Sequence, residues 1–334
     1  MTRCGATLAR LVRFSCVIGV AAIVASPLAA QHSRTVEGRV VVQRSGRPEP
    51  LPRRVVTLHR VGSDSAGAVD SVLSDARGRY RFSFQPFGAE GAVYFAAVIH
   101  GGVAYFTAPL GATPSDDESG EITVFDTAST GIDIGIRGRH LAVSAPGTAG
   151  NRAVVDVFEL GNDSLQTLVP AQGTLATWRM PLPEGALNAT VMRDAGDIAA
   201  AAVKVVDGEV AVFAPFAPGL KQLALRYELP PTRDSLTIPV IKTTSVLEVL
   251  LEEASGRVAG GGLAAQGPVT VEGKTLQRFL AQEVAANAVL TIVLPQTRAE
   301  APSRTWLMAL LGAVVAGGIA ALLLWRTRSA SGAA

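Results

Sequence analysis

The N-terminal part of the chain contains short runs in which apolar and polar residues alternate. Turn-forming residues separate the runs, and no helical period lies between them. Alternation places successive side chains on opposite faces of a strand, and several short strands at this spacing are typical of a β-sandwich. The sequence therefore predicts a β-sandwich over residues 31–127. The runs are Val36–Gln43, Arg54–Val61, Ala68–Ser74, Tyr80–Phe84, Ala92–His100, Val103–Leu110 and Glu121–Asp126.

A second β-domain is predicted over residues 128–229. Alternating runs continue there from Ile132 onwards, with Thr127–Gly131 as a small, polar connector. Asp207-Gly208 lies between two apolar runs, which is a strong signal for a β-hairpin.

A third β-rich unit is predicted over residues 230–296, beginning at the Pro230-Pro231 break. Four short strands are expected in it, together with one short helix at Leu276–Ala286. The pattern leaves open whether the second and third units are separate domains.

The longest apolar run covers residues 306–325, which include no charged residue. A helix rises 1.5 Å per residue, so these residues would span about 30 Å, the thickness of a bilayer's hydrocarbon core. Trp306 and Trp325 close the two ends, where indole rings favour the headgroup layer. We therefore predict a single C-terminal transmembrane α-helix, preceded by a tether at 297–305 and followed by a cytoplasmic tail at 326–334.

Small residues recur along this predicted span. Gly312 and Ala316 are four residues apart, with Gly317 beside them. Such a face lets another helix approach closely, so helix–helix self-association is a further hypothesis.

The first 30 residues have the plan of a secretory signal peptide. Three arginines precede a short apolar run, and small residues follow it up to Ala30, the expected cleavage position. Together with the C-terminal span and the arginines that follow it, the signal predicts a single-pass protein. Its N-terminal ectodomain would lie outside the cytoplasm, at a bacterial inner membrane facing the periplasm.

Three segments of the first predicted domain resemble a carboxypeptidase regulatory-like domain. The resemblance covers residues 35–110 and departs from the family's usual motif at Ser74, where a Thr is common. It implies a transthyretin-like β-sandwich and an accessory role with no catalytic residues. The similarity of that fold to starch-binding modules also implies a glycan as an alternative ligand. The segments are Val36-Glu37-Gly38-Arg39-Val40, Val55-Val56-Thr57-Leu58 and Ser74-Asp75-Ala76-Arg77-Gly78-Arg79-Tyr80-Arg81-Phe82.

Charge and cysteine content exclude several classes of function. Residues 31–305 hold 25 basic and 28 acidic residues, a net charge of −3, which does not favour a nucleic-acid partner. Both cysteines, Cys4 and Cys16, fall within the predicted signal peptide. The mature chain is therefore expected to contain no disulfide, thiolate metal site or cysteine nucleophile.

Candidate chemistry is sparse in the remaining sequence. The histidines are scattered at His32, His59, His100 and His140, and no common catalytic motif is present. Gly273-Lys274-Thr275 lacks the preceding glycine that a phosphate loop needs, so we interpret it as a turn. Similarly, we interpret the consecutive acids of Asp116-Asp117-Glu118 as a solvated loop rather than a calcium site.

These observations predict a mainly β protein of tandem β-sandwich domains followed by one transmembrane helix, with no catalytic residue, cofactor or metal. The leading hypothesis is a non-catalytic, membrane-anchored envelope protein that engages another protein. The alternative is a carbohydrate-binding module, although most of the aromatic residues lie in strand patterns that indicate core packing. A hydrolase is a third hypothesis.

Overall fold

A computed structural model describes residues 33–110, 120–171, 175–193, 195–231, 234–271 and 273–294. The prediction of a mainly β protein is confirmed in this part of the chain. No helix within these ranges is long and apolar enough to cross a membrane. The predicted signal peptide, tether, transmembrane helix and tail lie outside the described residues, as do His32 and the acidic loop. The residues singled out there are therefore outside them too: Ala30, Trp306, Gly312, Ala316, Gly317 and Trp325.

The first unit is a sandwich of two four-stranded sheets. In one sheet, β1 pairs antiparallel with β2 and β5 and parallel with β8. The other sheet has the order β4-β3-β6-β7, with antiparallel pairing throughout. All seven predicted runs form strands, and β2 is an addition to them. The strands are β1 (Arg34–Arg44), β2 (Arg47–Pro50), β3 (Val55–Val61), β4 (Ala66–Leu73), β5 (Arg79–Phe84), β6 (Val93–His100), β7 (Val103–Phe106) and β8 (Glu121–Val124).

The core of this sandwich follows from the alternation in the sequence. Tyr80, Phe82 and Phe84 of β5 all point inward, where they pack against buried residues of the facing sheet such as Leu58. The predicted turn before β5 is present, because Gly78 adopts a φ of +75° that suits glycine.

Near the start and the end of the first unit, the backbone at Gly38 in β1 closely approaches the backbone at Gly120, just before β8. The Tyr80 hydroxyl donates a hydrogen bond of 2.6 Å to the carbonyl of Gly120, and burial raises the pKa of that hydroxyl. A Cβ atom added at Gly38 would lie 1.9 Å from the same carbonyl oxygen. Glycine is therefore required at position 38, where β1 and the strand entering β8 cross.

The rest of the described chain forms fifteen strands and one short 3₁₀ turn, Ala200–Ala202. Its strands are β9 (Thr127–Ala128), β10 (Gly135–Val143), β11 (Arg152–Asn162), β12 (Thr167–Leu168), β13 (Trp178–Pro181), β14 (Leu187–Val191), β15 (Val203–Val206), β16 (Glu209–Val212), β17 (Gly219–Leu229), β18 (Ser235–Pro239), β19 (Thr244–Leu251), β20 (Arg257–Gly260), β21 (Ala264–Val271), β22 (Lys274–Val284) and β23 (Val289–Val293).

These strands build one large sheet and three smaller ones. The large sheet has seven strands in the order β14-β17-β11-β10-β19-β22-β21. Two three-stranded sheets, β13-β16-β15 and β18-β23-β20, contribute side chains to the same hydrophobic core as one face of the large sheet. The short pair β9 and β12 stands at the junction with the first unit, where the Tyr105 hydroxyl lies 2.7 Å from that of Thr167.

The predicted second and third units share this sheet and this core. β10, from the second, pairs in parallel with β19, from the third, over Ile136–Val143 and Thr244–Leu251. Leu141 and Leu247 belong to a single buried cluster. Residues on both sides of position 230 therefore share one sheet and one hydrophobic core.

Two local predictions for this part have opposite outcomes. The Asp207-Gly208 hairpin is confirmed, because β15 and β16 pair antiparallel across it, with φ of +52° and +74° at the two turn residues. The helix predicted at Leu276–Ala286 is wrong, because Lys274–Val284 forms β22. That strand lies between β19 and β21, so its backbone groups pair with strands on both sides.

A charged pair is buried inside the large core. Arg139 forms two hydrogen bonds of 3.0 and 2.6 Å with the Asp156 carboxylate and donates a third, of 2.7 Å, to the carbonyl of Pro239. The Tyr227 hydroxyl donates to the same carboxylate, and the guanidinium lies 4.7 Å from the centre of the Phe158 ring. Burial and the nearby Asp156 charge raise the pKa of Tyr227 well above its ordinary value. With these partners the charges are satisfied, so the cluster has a structural role.

Candidate interaction surface

The two outer faces of the first sandwich differ sharply in charge. The outer face of the β1, β5 and β8 sheet carries Arg39, Arg81, Glu37 and Glu121, joined in ion pairs of 2.5 Å (Arg39–Glu121) and 3.1 Å (Arg81–Glu37). Such a face is well solvated and requires no partner.

The opposite sheet presents a largely uncharged face. Strand register fixes its members, since alternate residues of β3, β4, β6 and β7 point away from the core. Asp70, the acidic residue of β4, lies at a bulge in this edge strand and is exposed beside the face. We call this surface the apolar face; it consists of Val55, Thr57, His59, Val61, Ala66, Ala68, Ser71, Leu73, Val93, Phe95, Ala97, Ile99, Ala104 and Phe106.

Large side chains of the apolar face remain open to solvent. Ile99 is 70% exposed, Leu73 65%, and Val55 and Phe106 57% each. Scattered exposed residues of this kind are normal, but a contiguous uncharged group of them marks an interaction site.

An aromatic cluster occupies the middle of the apolar face. The His59 and Phe95 rings stack with centroids 5.3 Å apart and an interplanar angle of 9°. Phe106 meets Phe95 edge-on, with centroids 5.6 Å apart. Next to them the Thr57 and Ser71 hydroxyls lie 3.0 Å apart in a hydrogen bond. The rings hold one another in place, which lowers the ordering cost of binding.

One feature of the sequence indicates this surface, although the alternation of apolar and polar residues did not predict it. A half-buried strand alternates apolar and polar residues, yet β6 reads Val93-Tyr94-Phe95-Ala96-Ala97-Val98-Ile99 and is apolar on both faces. Only one of those faces can point into a two-sheet core. The second face had to be either covered or left exposed, and the structure leaves it exposed.

A second cluster, buried in the large sheet, is the strongest candidate for chemistry. His140 Nδ1 lies 2.8 Å from Glu248 Oε2, while Glu248 Oε1 accepts a 2.5 Å hydrogen bond from Arg278. His140 Nε2 has no hydrogen-bond partner and lies 3.8 Å from Glu159 Oε1. Gly138 makes room for this arrangement, because a Cβ there would be 2.6 Å from the Glu159 carboxylate.

The charges and hydrogen bonds of this cluster link three neighbouring strands, β10, β19 and β22. Burial alone would raise the pKa of Glu248, but the hydrogen bonds from His140 and Arg278 outweigh it and hold that pKa below its ordinary value. Across the described ranges, no group of three or more His, Cys, Asp or Glu side chains is arranged to hold a metal ion.

The other residues considered in the sequence have structural surroundings. His100 Nε2 lies 3.1 Å from Asp126, which also pairs with Arg44. Core packing of the aromatic residues is confirmed for Trp178 and for all four tyrosines, each less than 9% exposed. Gly273 forms a hairpin turn with a φ of +76° between β21 and β22. A shallow polar depression lined by Asn188, Thr190, Arg226, Tyr227 and Glu228 is open to solvent.

Comparison with known proteins gives little to add to this geometry. No protein-family model matches the chain, and no curated protein is similar to it. Among solved structures, the chain is similar to a mutant of an M1 zinc metallopeptidase from Deinococcus radiodurans, with 14% identity and a TM-score of 0.29. The match covers 48% of this chain and 42% of the metallopeptidase chain, so it spans less than half of either. A likeness at this level carries no argument about fold or function.

Proposed function

We propose that this chain is a non-catalytic, membrane-anchored envelope protein that binds another protein through the apolar face of its first sandwich. The observation that carries the proposal is the contrast between the two outer sheet faces. The outer face of the β1, β5 and β8 sheet carries ion pairs. The apolar face instead exposes the uncharged side chains of Val55, Leu73, Ile99 and Phe106.

Energetics favour a protein as the occupant of this face. Burying apolar surface gains about 25 cal/mol per Å², and the cores of protein interfaces are depleted in charge and enriched in aromatic residues. The apolar face has both properties. Its rigid aromatic centre also suits a binding hot spot, since clusters of this kind supply most of the binding energy.

The membrane part of the proposal rests on the sequence. Residues 306–325 have the length and composition of a span, and residues 1–30 have those of a signal peptide. An anchored chain needs no high affinity, because confinement raises the effective concentration of a partner in the same membrane.

A glycan is the second candidate, favoured by one observation. The flat His59–Phe95 stack lies beside the Thr57–Ser71 hydroxyl pair, and sugars use ring faces and hydroxyls together. Against it, the aliphatic residues around the stack offer no hydrogen-bonding groups to sugar hydroxyls. Retention of the full chain on immobilised polysaccharides, and its loss in Phe95→Ala, would favour the glycan.

Site-specific photo-crosslinking in intact membranes tests the protein partner. A photoreactive phenylalanine at position 106 should give one discrete adduct, and Ile99→Asp in the same chain should abolish it. Position 83 is the matched control, because Ser83 is exposed on the charged sheet. Adducts of equal pattern from positions 106 and 83, or none from position 106, would rule out the apolar face as the binding site.

A further inference from the structure

A group of arginines lies at one end of the apolar face. Arg53, Arg54 and Arg77 are all exposed. No ion pair joins any of these three to another residue among those that the structure describes. We call these three residues the basic end.

The other arginines of the sandwich are either paired or lie on the opposite sheet. Arg34, Arg47 and Arg79 also form no ion pair within the described residues, but they belong to the sheet of β1, β2 and β5. Arg39, Arg44, Arg60 and Arg81 each form an ion pair with a carboxylate of the same unit. The acid nearest in sequence to the basic end is Asp75, and its carboxylate accepts hydrogen bonds from the backbone N–H groups of Arg77 and Arg79. It therefore shapes the turn and leaves the guanidinium groups open to an outside partner.

Ser74 forms hydrogen bonds that join the segment before β3, which carries Arg53 and Arg54, to the segment after β4, which leads to Arg77. This buried serine accepts a backbone hydrogen bond of 3.0 Å from Arg53 and donates one of 2.9 Å to Arg54. Its hydroxyl accepts from the Arg54 N–H and donates to the carbonyl of Leu51. Arg53 is held at a φ of +54°, a conformation uncommon outside glycine. The loop is thus built in one shape, which lowers the ordering cost of a contact there.

Strand pairing places the basic end directly beside the apolar face. Val55 and Leu73 face each other across β3 and β4, and the chain passes from them to Arg54 and Ser74 respectively. A ligand lying along the sheet would leave the uncharged surface at this end and meet positive charge.

We propose, on the basis of the function proposed above, that the partner is a polypeptide segment with an apolar stripe that ends in a cluster of Asp and Glu. The stripe covers the apolar face and the acidic residues pair with Arg53, Arg54 and Arg77. Complementary charge at the rim of an apolar contact fixes orientation and speeds association, and arginine forks match carboxylates in two-point hydrogen bonds.

Selection from a random peptide library displayed on phage tests this proposal with the full chain in detergent micelles. The selected peptides should combine an apolar stripe with two or more acidic residues at one end. One such peptide is then synthesised together with a form in which Asn and Gln replace its acids. Binding of both is measured at low and high salt to five proteins: the wild type, R54E/R77E, R54Q/R77Q, I99D and R81E.

The matched control is R81E, because Arg81 is also exposed but is paired with Glu37 on the charged sheet. We expect R54E/R77E to weaken binding of the acidic peptide about fivefold to tenfold at low salt, as for the loss of two surface ion pairs. High salt should shrink this difference through screening, and R81E should bind like the wild type. R54Q/R77Q, which removes charge without reversing it, should lie between the wild type and R54E/R77E.

Three outcomes overturn the inference. If I99D abolishes binding while R54E/R77E has no effect, the acidic partner is wrong and the apolar face stands as a binding site. If I99D has no effect either, the proposed function falls with it. If the selected peptides lack acids and the chain instead binds heparin or vesicles of anionic lipid through the same arginines, the partner is a polyanion rather than a polypeptide.

Discussion

At position 38 a carbonyl oxygen occupies the space where a side chain would begin. The carbonyl of Gly120 is 1.9 Å from the Cβ position of Gly38, and the carbonyl of Glu37 is 2.0 Å from that of Gly120. Real Cβ atoms do not come so close to backbone, and backbone cannot rotate away as a side chain can. The requirement for glycine at these two positions therefore comes from a crossing between segments 82 residues apart.

Replacing Gly38 by Ala should destabilise the chain by about 1–3 kcal/mol, the usual cost of overpacking a tight contact. Gly67→Ala is the control, because Gly67 also lies in a strand of the same sandwich but has nothing within 4 Å of its Cβ position. That variant should be neutral or gain up to about 1 kcal/mol. Denaturant unfolding of the three proteins gives the comparison, and equal stability of Gly38→Ala and wild type would contradict the crossing.

Residues of the first sandwich show what the sequence can and cannot predict. The turn glycine Gly78 and the inward row of β5 follow from local pattern, and both are present. Gly38 lies in β1, and glycine is needed there because Gly120 approaches it, a contact that no local pattern contains. Likewise the apolar face depends on which strands are neighbours, and strand order is a long-range property.

At the scale of elements, β22 shows how tertiary pairing overrides local preference. Its sequence, Lys-Thr-Leu-Gln-Arg-Phe-Leu-Ala-Gln-Glu-Val, is rich in residues that favour helices. The strand lies between β19 and β21, and pairing on both sides satisfies its backbone groups as fully as a helix would. Leu276 and Ala281 are buried on opposite faces of the large sheet, so the strand contributes to the packing on both of them.

Glu248 ties three strands of this sheet, because β19 carries the carboxylate, β10 carries His140 and β22 carries Arg278. The pKa of Glu248 is lower in the folded chain than its ordinary value, so its contribution is complete above about pH 4.3. That contribution is lost as the pH falls through the lower, folded value.

Glu248→Gln should therefore lower stability at pH 7 by about 1–3 kcal/mol, as expected when hydrogen bonds to a charged group are removed. It should also flatten the fall in melting temperature between pH 5 and pH 3 relative to the wild type. Thermal melts across this range make the measurement. If the melting temperature falls equally with pH in both proteins, Glu248 does not link the three strands through its charged form.

For the whole molecule, the seven-stranded sheet sets the unit of folding. β14, β17, β11 and β10 come from before residue 230, and β19, β22 and β21 from after it. Removing the later strands would expose the paired edge of β10 and take away eleven of the thirty buried residues of the common core. The predicted boundary at 229/230 therefore separates sequence patterns but not cores.

A fragment of residues 33–229 should accordingly keep its first sandwich and lose ordered structure beyond residue 132. Limited proteolysis would then leave a product that ends near residue 130, whereas the 33–294 fragment would be cleaved only slowly. Protection of residues 132–229 in the shorter fragment would mean that the second predicted unit folds alone.

The parallel pairing of β10 with β19 also delays completion of the large sheet during synthesis of the chain. His140 and Glu248 are 108 residues apart, and every residue between them must be made before their strands can meet. At synthesis rates of about 5–20 residues per second, this interval lasts roughly 5–20 s. During it β10 keeps one edge of unpaired N–H and C=O groups, a template for pairing with the wrong chain. A newly made chain therefore depends, for those seconds, on whatever binds and shields that edge.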